Sequence, residues 1–546
     1  MTTPVLIVGG GPAGMMVAMT LDRLGVRSTI VNIEPRPTMH PKGGTQNSRT
    51  LEHYRRLGLA QAIRRNALPG PDHSMDIGYF TRLSGWELAR ITMPTMREAM
   101  AALDVADPLA QVPEPLLRCN QMYVESLVFD RVSTLANVTL RYGWRCIDCA
   151  QDANGVTATI EAVASGERET VRAEYLVGAD GGRSLVRRTL GIRYGGEDPL
   201  KQSFLGGTMV SSHLRVPNFY ASVPHKQCWH YFAVNPELRS NLLALNGTDE
   251  FLVNSQLTTP DDTPDAAAIA RRFEHSMGRD IRVEWLGHWT WTAGQALVAD
   301  RFVDGRVALC GDAAHLFTPT GGFGMNTGVD DAANLGWKLA ALIGGWGGPR
   351  LLTSYEDERR PIAVRNTTMA KSYTRNVGNV PIGSDLEDDT AAGNTARATA
   401  GSFLAGFREE FASLGIQLGA RYDGSPIVAG DGAEPPPDTP AAYHPSSVPG
   451  GRAPHVWLGR GDSLFDHFGA GFTLVRLGRD APGGGALEQA ARERGIPLDV
   501  LTVEMPQARE LYERDLALIR PDQHVAWRGN VLPPDPHELL ARVTGS

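Results

Sequence analysis

Three glycine-rich stretches carry the residue types and spacings with which this chain could do chemistry. The first, Gly9-Gly10-Gly11-Pro12-Ala13-Gly14, follows a short apolar run and opens an apolar segment that closes at Gly25. Glu34 comes twenty residues after Gly14, at the end of a second apolar run. In a strand–GxGxxG–helix–strand–acid unit the first glycine makes the turn and the second lets a pyrophosphate approach the backbone. The third packs helix on strand, and the acid accepts from a ribose hydroxyl. Gly9, Gly11, Gly14 and Glu34 stand at those positions, which predicts dinucleotide binding. The second stretch, 178–184, is another tight turn onto a short helix. Alone it reads as a loop with Ser184 as helix cap; beside the first it predicts a further contact to the same dinucleotide, through Asp180. The third, 306–340, runs as a strand into Gly311-Asp312, then a Thr/Pro/Gly loop with Gly321, Gly322 and Gly324, then a helix from about Asn326. A helix start offers unpaired N–H groups and partial positive charge to an anionic or carbonyl-rich ligand.

The elements that must hold these stretches are apolar strands at 4–8 and 28–33 and alternating strands over 138–177. Amphipathic helices are expected at 48–59 and 119–135, the second with Gln121 near its start. Residues 66–115 read as an irregular excursion over a site. From 200 to 300 the character changes to strands at 204–214, 228–234, 241–252 and 281–292, with a helix at 265–277. Trp285, Trp289 and Trp291 are spaced to share one face of a strand, either as core or as the wall of a substrate site. A helix is expected over 351–375, then a loose acidic loop at 383–393. Residues 428–454, with prolines at 435–437, 440, 445, 449 and 454, form the clearest linker. Beyond it lie strands at 472–477, 498–503, 516–520 and 524–527 with a helix at 485–494. They read as a non-catalytic domain of thioredoxin-like shape, useful for packing or for assembly into a homo-oligomer.

Composition narrows the class. The 546 residues suit about two to four domains, and a formal net charge of −8 without a basic cluster gives no drive toward nucleic acid or an anionic membrane. No apolar run is long enough to span a bilayer, and the N-terminus lacks a basic n-region, so a soluble cytoplasmic protein is expected. Five scattered cysteines agree with a reducing compartment. Cys146 and Cys149 form a CxxC inside a strand rather than at a helix start, so neither a redox nor a metal role is expected for them, and no metal site is expected elsewhere.

In order and type the three stretches resemble the GxGxxG, DG and GD motifs of the single-component FAD-dependent aromatic monooxygenases, the family of p-hydroxybenzoate and phenol hydroxylases. The resemblance covers roughly 1–375. The tail is similar to the thioredoxin-like extension of the phenol hydroxylase branch, and Arg520-Pro521-Asp522-Gln523-His524-Val525-Ala526-Trp527-Arg528-Gly529 looks like the closing run of antibiotic-pathway members.

The resemblance implies an α/β fold: an FAD-binding Rossmann-like domain (1–75, 116–195 and 295–375) interleaved with a mixed-sheet substrate domain (76–115 and 196–294). A connection at 376–427, the linker at 428–454 and a thioredoxin-like domain at 455–546 would follow. It also implies that Gly9, Gly11, Pro12, Ala13, Gly14 and Glu34 hold the ADP half of FAD. Arg49 and Gln121 join the cofactor-binding set, Asp180 touches FAD and nicotinamide, and Asp312 takes the ribityl or pyrophosphate region. Pro319, Gly322, Gly324, Met325 and Asn326 would lie against the isoalloxazine. Leu297 departs from the family, standing where many relatives carry Arg, which puts a charged substrate anchor there in doubt.

No side chain in these stretches can activate dioxygen, so the cofactor must carry that step. The resemblance implies that NAD(P)H reduces FAD, that dioxygen forms a flavin C4a-hydroperoxide, and that a small phenolic or heteroaromatic substrate attacks it. His213, His230 and Tyr231 are the candidate bases and Pro319 is expected beside the reacting centre. Trp229, Trp289 and Trp291 are the candidate substrate wall. Two other readings stay open: Baeyer–Villiger insertion or oxidative decarboxylation by the same cofactor, and a flavoprotein that binds without turning over. Asp312→Ala should lower the flavin-to-protein absorbance ratio of the purified protein. An unchanged ratio would refute the role given to Asp312.

Overall fold

The computed structural model describes residues 1–546 except 105–106, 198–203, 206, 258 and 260–262. β1 (Thr2–Val8) enters α1 (Pro12–Arg23) and the chain returns as β2 (Ser28–Asn32). α2 (Ser48–Arg56), β3 (Ile77–Phe80), β4 (Glu87–Ile91) and α3 (Gln121–Val132) follow, then β5 (Val138–Tyr142) and β6 (Arg168–Gly178). Next come β7 (Gly207–Arg215), β8 (His230–Val234), β9 (Arg239–Ala244), β10 (Glu250–Gln256) and β11 (Glu284–Ala293). The chain then forms β12 (Val303–Asp304), β13 (Val307–Leu309), α4 (Phe323–Ile343), α5 (Arg350–Gly378) and the single turn α6 (Arg408–Phe411). It ends in β14 (Phe472–Leu477), β15 (Leu498–Val503), β16 (Leu516–Ile519) and β17 (Val525–Gly529).

The first sheet has the order β12-β13-β6-β1-β2-β5, with a hairpin of strands at 144–152 and 155–162 attached to β6. β13, β6, β1, β2 and β5 are parallel, and Val5, Leu6 and Ile7 in its centre are wholly buried, as a sheet covered on both faces requires. Register decides where chemistry can occur. Val8 pairs with Gly178 and with Val31, and Gly178 pairs with Leu309. The three glycine-rich turns therefore leave the sheet side by side at the carboxyl ends of its strands, where ligands of open α/β sheets bind.

The second sheet has the order β11-β7-β10-β9-β8-β3-β4. Residues 66–115 are thus no loose excursion: β4 is one edge strand of this sheet, β3 lies beside it, and a helix at Met96–Asp104 follows them. One face of this sheet packs Tyr231, Phe80, Phe219 and Phe251 against Phe273 and Met277 of the helix Ala266–Met277. The expected common face for the three tryptophans holds for two. A bulge pairs His213 with Gly287 but Leu214 with Trp285, which shifts the alternation, and Trp285 is 45% exposed.

The C-terminal sheet, β15-β14-β16-β17, docks on α4 through fully buried Trp337, whose ring meets Phe472 at 5.9 Å. The proline-rich 428–454 stretch divides: residues 430–446 have no helix or strand and none of them is buried, whereas 447–454 are packed. Ser447 and Ala453 are wholly buried, the Gly450 amide donates to the Val525 carbonyl (2.8 Å), and Arg452 forms a buried ion pair with Glu52 (2.6 Å). Among the described residues no helix is long and apolar enough to cross a membrane and all five cysteines are free thiols.

The two halves are joined at Glu358 of α5, whose carboxylate meets Arg520 and Lys338 at 2.6 Å with all three side chains wholly buried. Burial works against its charge, yet Arg520 and Lys338 hold the carboxyl down at about 2. Glu358→Gln should lower unfolding free energy by ~3–5 kcal/mol, because it leaves buried Lys338 without a carboxylate and Arg520 with Asp522 alone. The loss should be read as one cooperative transition, not two, in denaturant melts. In the parent protein this pairing is fully present above the ordinary carboxylate range of about 4.3 and is lost as pH falls toward 2.

Candidate cofactor and substrate site

Most helices with a side-chain cap in this chain start at Asn, Asp, Ser or Thr: Asn47 caps α2 and Asn120 caps α3 through their side-chain oxygens. α1 and α4 break that habit. Each starts at a glycine, Gly11 or Gly322, without a side-chain cap or an acid in the first turn. No side chain at the cap accepts from their first amides. The two N-termini converge, since the Gly311 turn lies against Ala13 of α1 (a Cβ would come within 3.1 Å) and against Gly328 of α4.

The glycines of the first turn divide by cause. Gly9 sits at φ +112°, closed to L side chains, and a Cβ on Gly14 would collide with the Gly9 carbonyl oxygen. A Cβ on Gly11 would meet nothing within 4 Å, so that glycine keeps open the space over the α1 amides rather than serving the fold. Pro12 takes the first helical position, where no N–H is needed. Glu34 is exposed beyond β2, its side chain without a partner among the described residues and its carbonyl accepting from Gly143 (3.1 Å).

At the second turn Asp180 accepts from the Leu185 and Val186 amides through Oδ2 (2.6 and 3.2 Å), while its buried Oδ1 has no partner. At the third, Asp312 opens onto the cleft, and the protein crowded around its carboxyl desolvates it and raises its pKa against the pull of His315 and Lys42. Beyond it Pro319 is exposed, and Gly321 and Gly322 both lie in the left-handed region (φ +74° and +67°), which turns the chain into α4. Gly324 packs near Phe317, Met325 is half-buried, and Asn326 is spent on structure. The Asn326 amide donates to the Thr45 and Gly322 carbonyls (3.0 and 2.6 Å) and accepts from the Asn47 amide (2.9 Å), stapling the α4 start to the strand at 45–46. Gln121 begins α3 with its backbone amide on the Gly43 carbonyl (2.8 Å) and its side chain donating to Glu125.

Arg49 is not in this cleft. Its guanidinium is buried and consumed by Glu52 (2.9 Å), Asp330 (3.3 Å), the Gln523 side chain (2.8 Å) and the Asp522 carbonyl (2.6 Å). It joins the N-terminal half to the C-terminal domain, and four of its five N–H donors are taken by protein. The turns that carry Gly9, Asp180 and Asp312 leave adjacent strands. Uncapped amides, an open Gly11, the free Glu34 carboxylate and the orphaned Asp180 oxygen fit a dinucleotide.

A cavity of about 290 Å³ separates the 319–322 loop from the second sheet. Trp229, Trp289, Trp291, Phe232 and Phe411 give it an aromatic wall. A polar ladder crosses that wall: Trp291 Nε1 donates to Ser211 (2.7 Å), Ser211 to Asn254 (2.5 Å) and Asn254 to Asn241 (2.8 Å). His230 lines the cavity with neither ring nitrogen bonded, and burial, helped by Arg118, pushes its pKa down to about 3. The two other candidate bases lie elsewhere. Tyr231 points to the opposite face, as alternation demands, where its hydroxyl accepts from the Cys228 amide (2.8 Å). His213 sits at the bulge with its ring on Glu250 (3.1 Å), outside the cavity lining. Among the lining residues that sequence reasoning missed are Arg118 and Glu410. Arg118 could have been noticed as a lone charge in the run before Gln121; Glu410 gave no signal, since only the tertiary fold brings α6 here.

The chain matches the model of the FAD binding domain over residues 2–370 and that of the aromatic-ring hydroxylase C-terminal domain over 446–546. It is 33% identical to the FAD-dependent monooxygenase apdD of Emericella nidulans, across 96% of this chain and 87% of that protein. It is 31% identical to the 4-methyl-5-nitrocatechol 5-monooxygenase of a Burkholderia species, across 98% and 96%. The solved structure of the rebeccamycin biosynthetic enzyme RebC with reduced flavin superposes with a TM-score of 0.87 at 35% identity, covering 100% of this chain and 99% of that one. Gly11→Ala should leave the melting curve of the flavin-stripped protein unchanged and yet cut flavin occupancy, because its methyl enters the cradle. Gly14→Ala should instead lower folded yield. Equal flavin occupancy in Gly11→Ala and the parent would remove the cradle assignment.

Proposed function

The chain belongs to the FAD-dependent aromatic-ring hydroxylases, and from that premise we propose that it inserts one atom of dioxygen into a phenolic or related heteroaromatic ring, with NAD(P)H as electron donor. The observation that carries the reading is the position of the aromatic cavity: its floor is the Pro319–Gly322 loop, at the uncapped start of α4. FAD, when bound, supplies the electron storage and oxygen activation that no side chain in the cavity possesses.

The protein's own residues then have distinct tasks. Gly9, Gly11 and Gly14 bring the α1 amides to the pyrophosphate, and Glu34 receives a ribose hydroxyl. Asp180, Gln121 and Asp312 border the stretch between that end and the ring end. The amides at the start of α4, beyond Gly322, favour negative charge on a ring laid against them. Pro319 closes the floor without offering an N–H. Trp229, Trp289, Trp291 and Phe232 exclude water and align the substrate ring by stacking. His230, neutral and without a protein partner, accepts a ring hydroxyl through one nitrogen and so fixes which carbon faces the floor. Free thiols throughout suit a reducing cytoplasm.

A panel of phenols, pyridinols and polycyclic phenolic compounds should contain members that stimulate NAD(P)H oxidation with matched dioxygen uptake and a product heavier by one oxygen. Ring expansion or loss of carbon dioxide would move the reading to Baeyer–Villiger or decarboxylating chemistry, and no stimulated oxidation by any member would defeat it. His230→Ala should lower kcat/KM for an active member about tenfold, the worth of one hydrogen bond of ~1.4 kcal/mol, with flavin content unaltered.

A further inference from the structure

Arg118 belongs to the two-residue strand Leu117–Arg118 and is 5% exposed at the cavity wall. Its guanidinium donates to the Thr45 hydroxyl (2.5 Å) and the Phe411 carbonyl (3.0 Å) and lies 4.7 Å from the Trp229 ring centroid. All of these partners are neutral. Among the described residues Arg118 forms no ion pair with a carboxylate, and its buried Nε–H has no acceptor. Other buried arginines here, such as Arg359, Arg452 and Arg520, are neutralised by acids at 2.5–2.6 Å. A buried cation facing a cavity without a counter-ion is costly unless something else supplies the charge.

Glu410 comes from α6, on the segment connecting the two halves, and lines the same cavity at 7% exposure. The Gly321 amide of the loop at the cavity floor approaches its carboxyl, and its buried Oε2 has no partner. Burial pushes its pKa up to about 8 against the pull of that amide and of Arg118. At neutral pH it is therefore a carboxylic acid, a hydrogen-bond donor that leaves the Arg118 charge uncancelled. The groups around it do not compete. Tyr79 of β3 and Tyr373 of α5 are both raised by burial and stay neutral, Tyr373 donating to Glu409 (2.8 Å), while His230 of β8 is held neutral. Burial brings Arg118 down only to about 10, so it stays charged, and Lys42 adds a second cation to the lining.

Resting on the reading of this cavity as the substrate site, we propose that Arg118 and Glu410 together receive an anionic oxygen of the aromatic substrate, a carboxylate or a phenolate. The guanidinium supplies charge and a free N–H; the acid supplies a second donor from the side of the cofactor loop. Raising the pH ionises Glu410, cancels the charge of Arg118 and expels the anion. The site thus selects acidic aromatic compounds over neutral ones and does so most strongly below about pH 8.

Binding, rather than turnover, tests this separately from the oxygenase reading. The probes are 2-naphthoate and pentafluorophenolate, both ionised from pH 7 to 9, with neutral 2-naphthamide as control. Perturbation of the flavin absorbance of FAD-loaded protein gives Kd. One or both anions should bind at least tenfold more tightly than the amide at pH 7, and the anion that does so identifies the substrate oxygen as carboxylate or phenolate. Between pH 7 and pH 9 that advantage should fall about tenfold in the parent, as expected for one proton released near pH 8, and less than twofold in Glu410→Gln. Arg118→Gln should abolish the preference at both pH values; if that variant does not fold, the isosteric Glu410→Gln comparison decides. Equal or tighter binding of the amide at pH 7, or the same pH dependence in Glu410→Gln and the parent, would overturn the proposal while leaving the oxygenation assay untouched.

Discussion

The arrangement depends most on a buried ionic lattice across α2, α4, α5 and the turn that follows β16. Arg359 of α5 bridges Asp330 and Asp331 of α4 at 2.5 and 2.7 Å, and Asp331 also holds His315 at 2.5 Å. Asp330 continues to Arg49, Arg49 to Glu52, and Glu52 to Arg452. Lys338 and Arg520 meet on Glu358, and Arg520 also holds Asp522. Five cations (Arg49, Lys338, Arg359, Arg452, Arg520) face five anions (Glu52, Asp330, Asp331, Glu358, Asp522), so the lattice is neutral although each member is deeply desolvated. Such pairs add little net stability over an apolar core, but breaking any one is expensive. The consequence is rigidity of placement. α4 is fixed in rotation and depth, and the uncapped amides at its start cannot drift from the cavity floor.

The same physics explains why the C-terminal domain matters without contributing to the cavity lining. Arg520-Pro521-Asp522-Gln523-His524 reaches back into the first half, where Asp522 accepts from Trp337 Nε1 (3.2 Å) and His524 stacks on Tyr422 at 4.2 Å. It anchors the back of α4 while the front faces the cofactor groove. Against this densely charged rear, the cavity is electrically sparse. Burial keeps His230 and Glu410 neutral, and the charged side chains in its lining are Arg118 and Lys42. An aromatic enclosure shields reactive chemistry from water, while unbalanced positive charge gives it direction.

Where sequence reading and structure part, the reasons are specific. The alternation rule placed Trp285 with Trp289 and Trp291, but one bulge at His213/Leu214 resets the parity. The resemblance put Arg49 in the cofactor-binding set, whereas its partners Gln523 and Asp522 lie more than four hundred residues away. Proline content suggested a linker at 428–454; residues 430–446 are solvent-facing, but 447–454 are buried, because proline measures stiffness rather than exposure. Of the three candidate bases only His230 reaches the cavity, because strand alternation turns Tyr231 away and the bulge carries His213 to Glu250.

The sequence by itself determined what is encoded within a few residues: the strand-turn-helix units at Gly9, Gly178 and Gly311, the conformations only glycine allows, and the missing helix caps that leave amides for a ligand. It also determined the family, because three such units in one order are rarely shared by chance. Only the tertiary structure decided which side chains meet. The cavity draws Arg118, His230 and Glu410 from a two-residue strand, a sheet interior and a connecting turn that share no local pattern. Their altered protonation arises from burial created by all the surrounding elements together, a property that no short stretch of sequence contains.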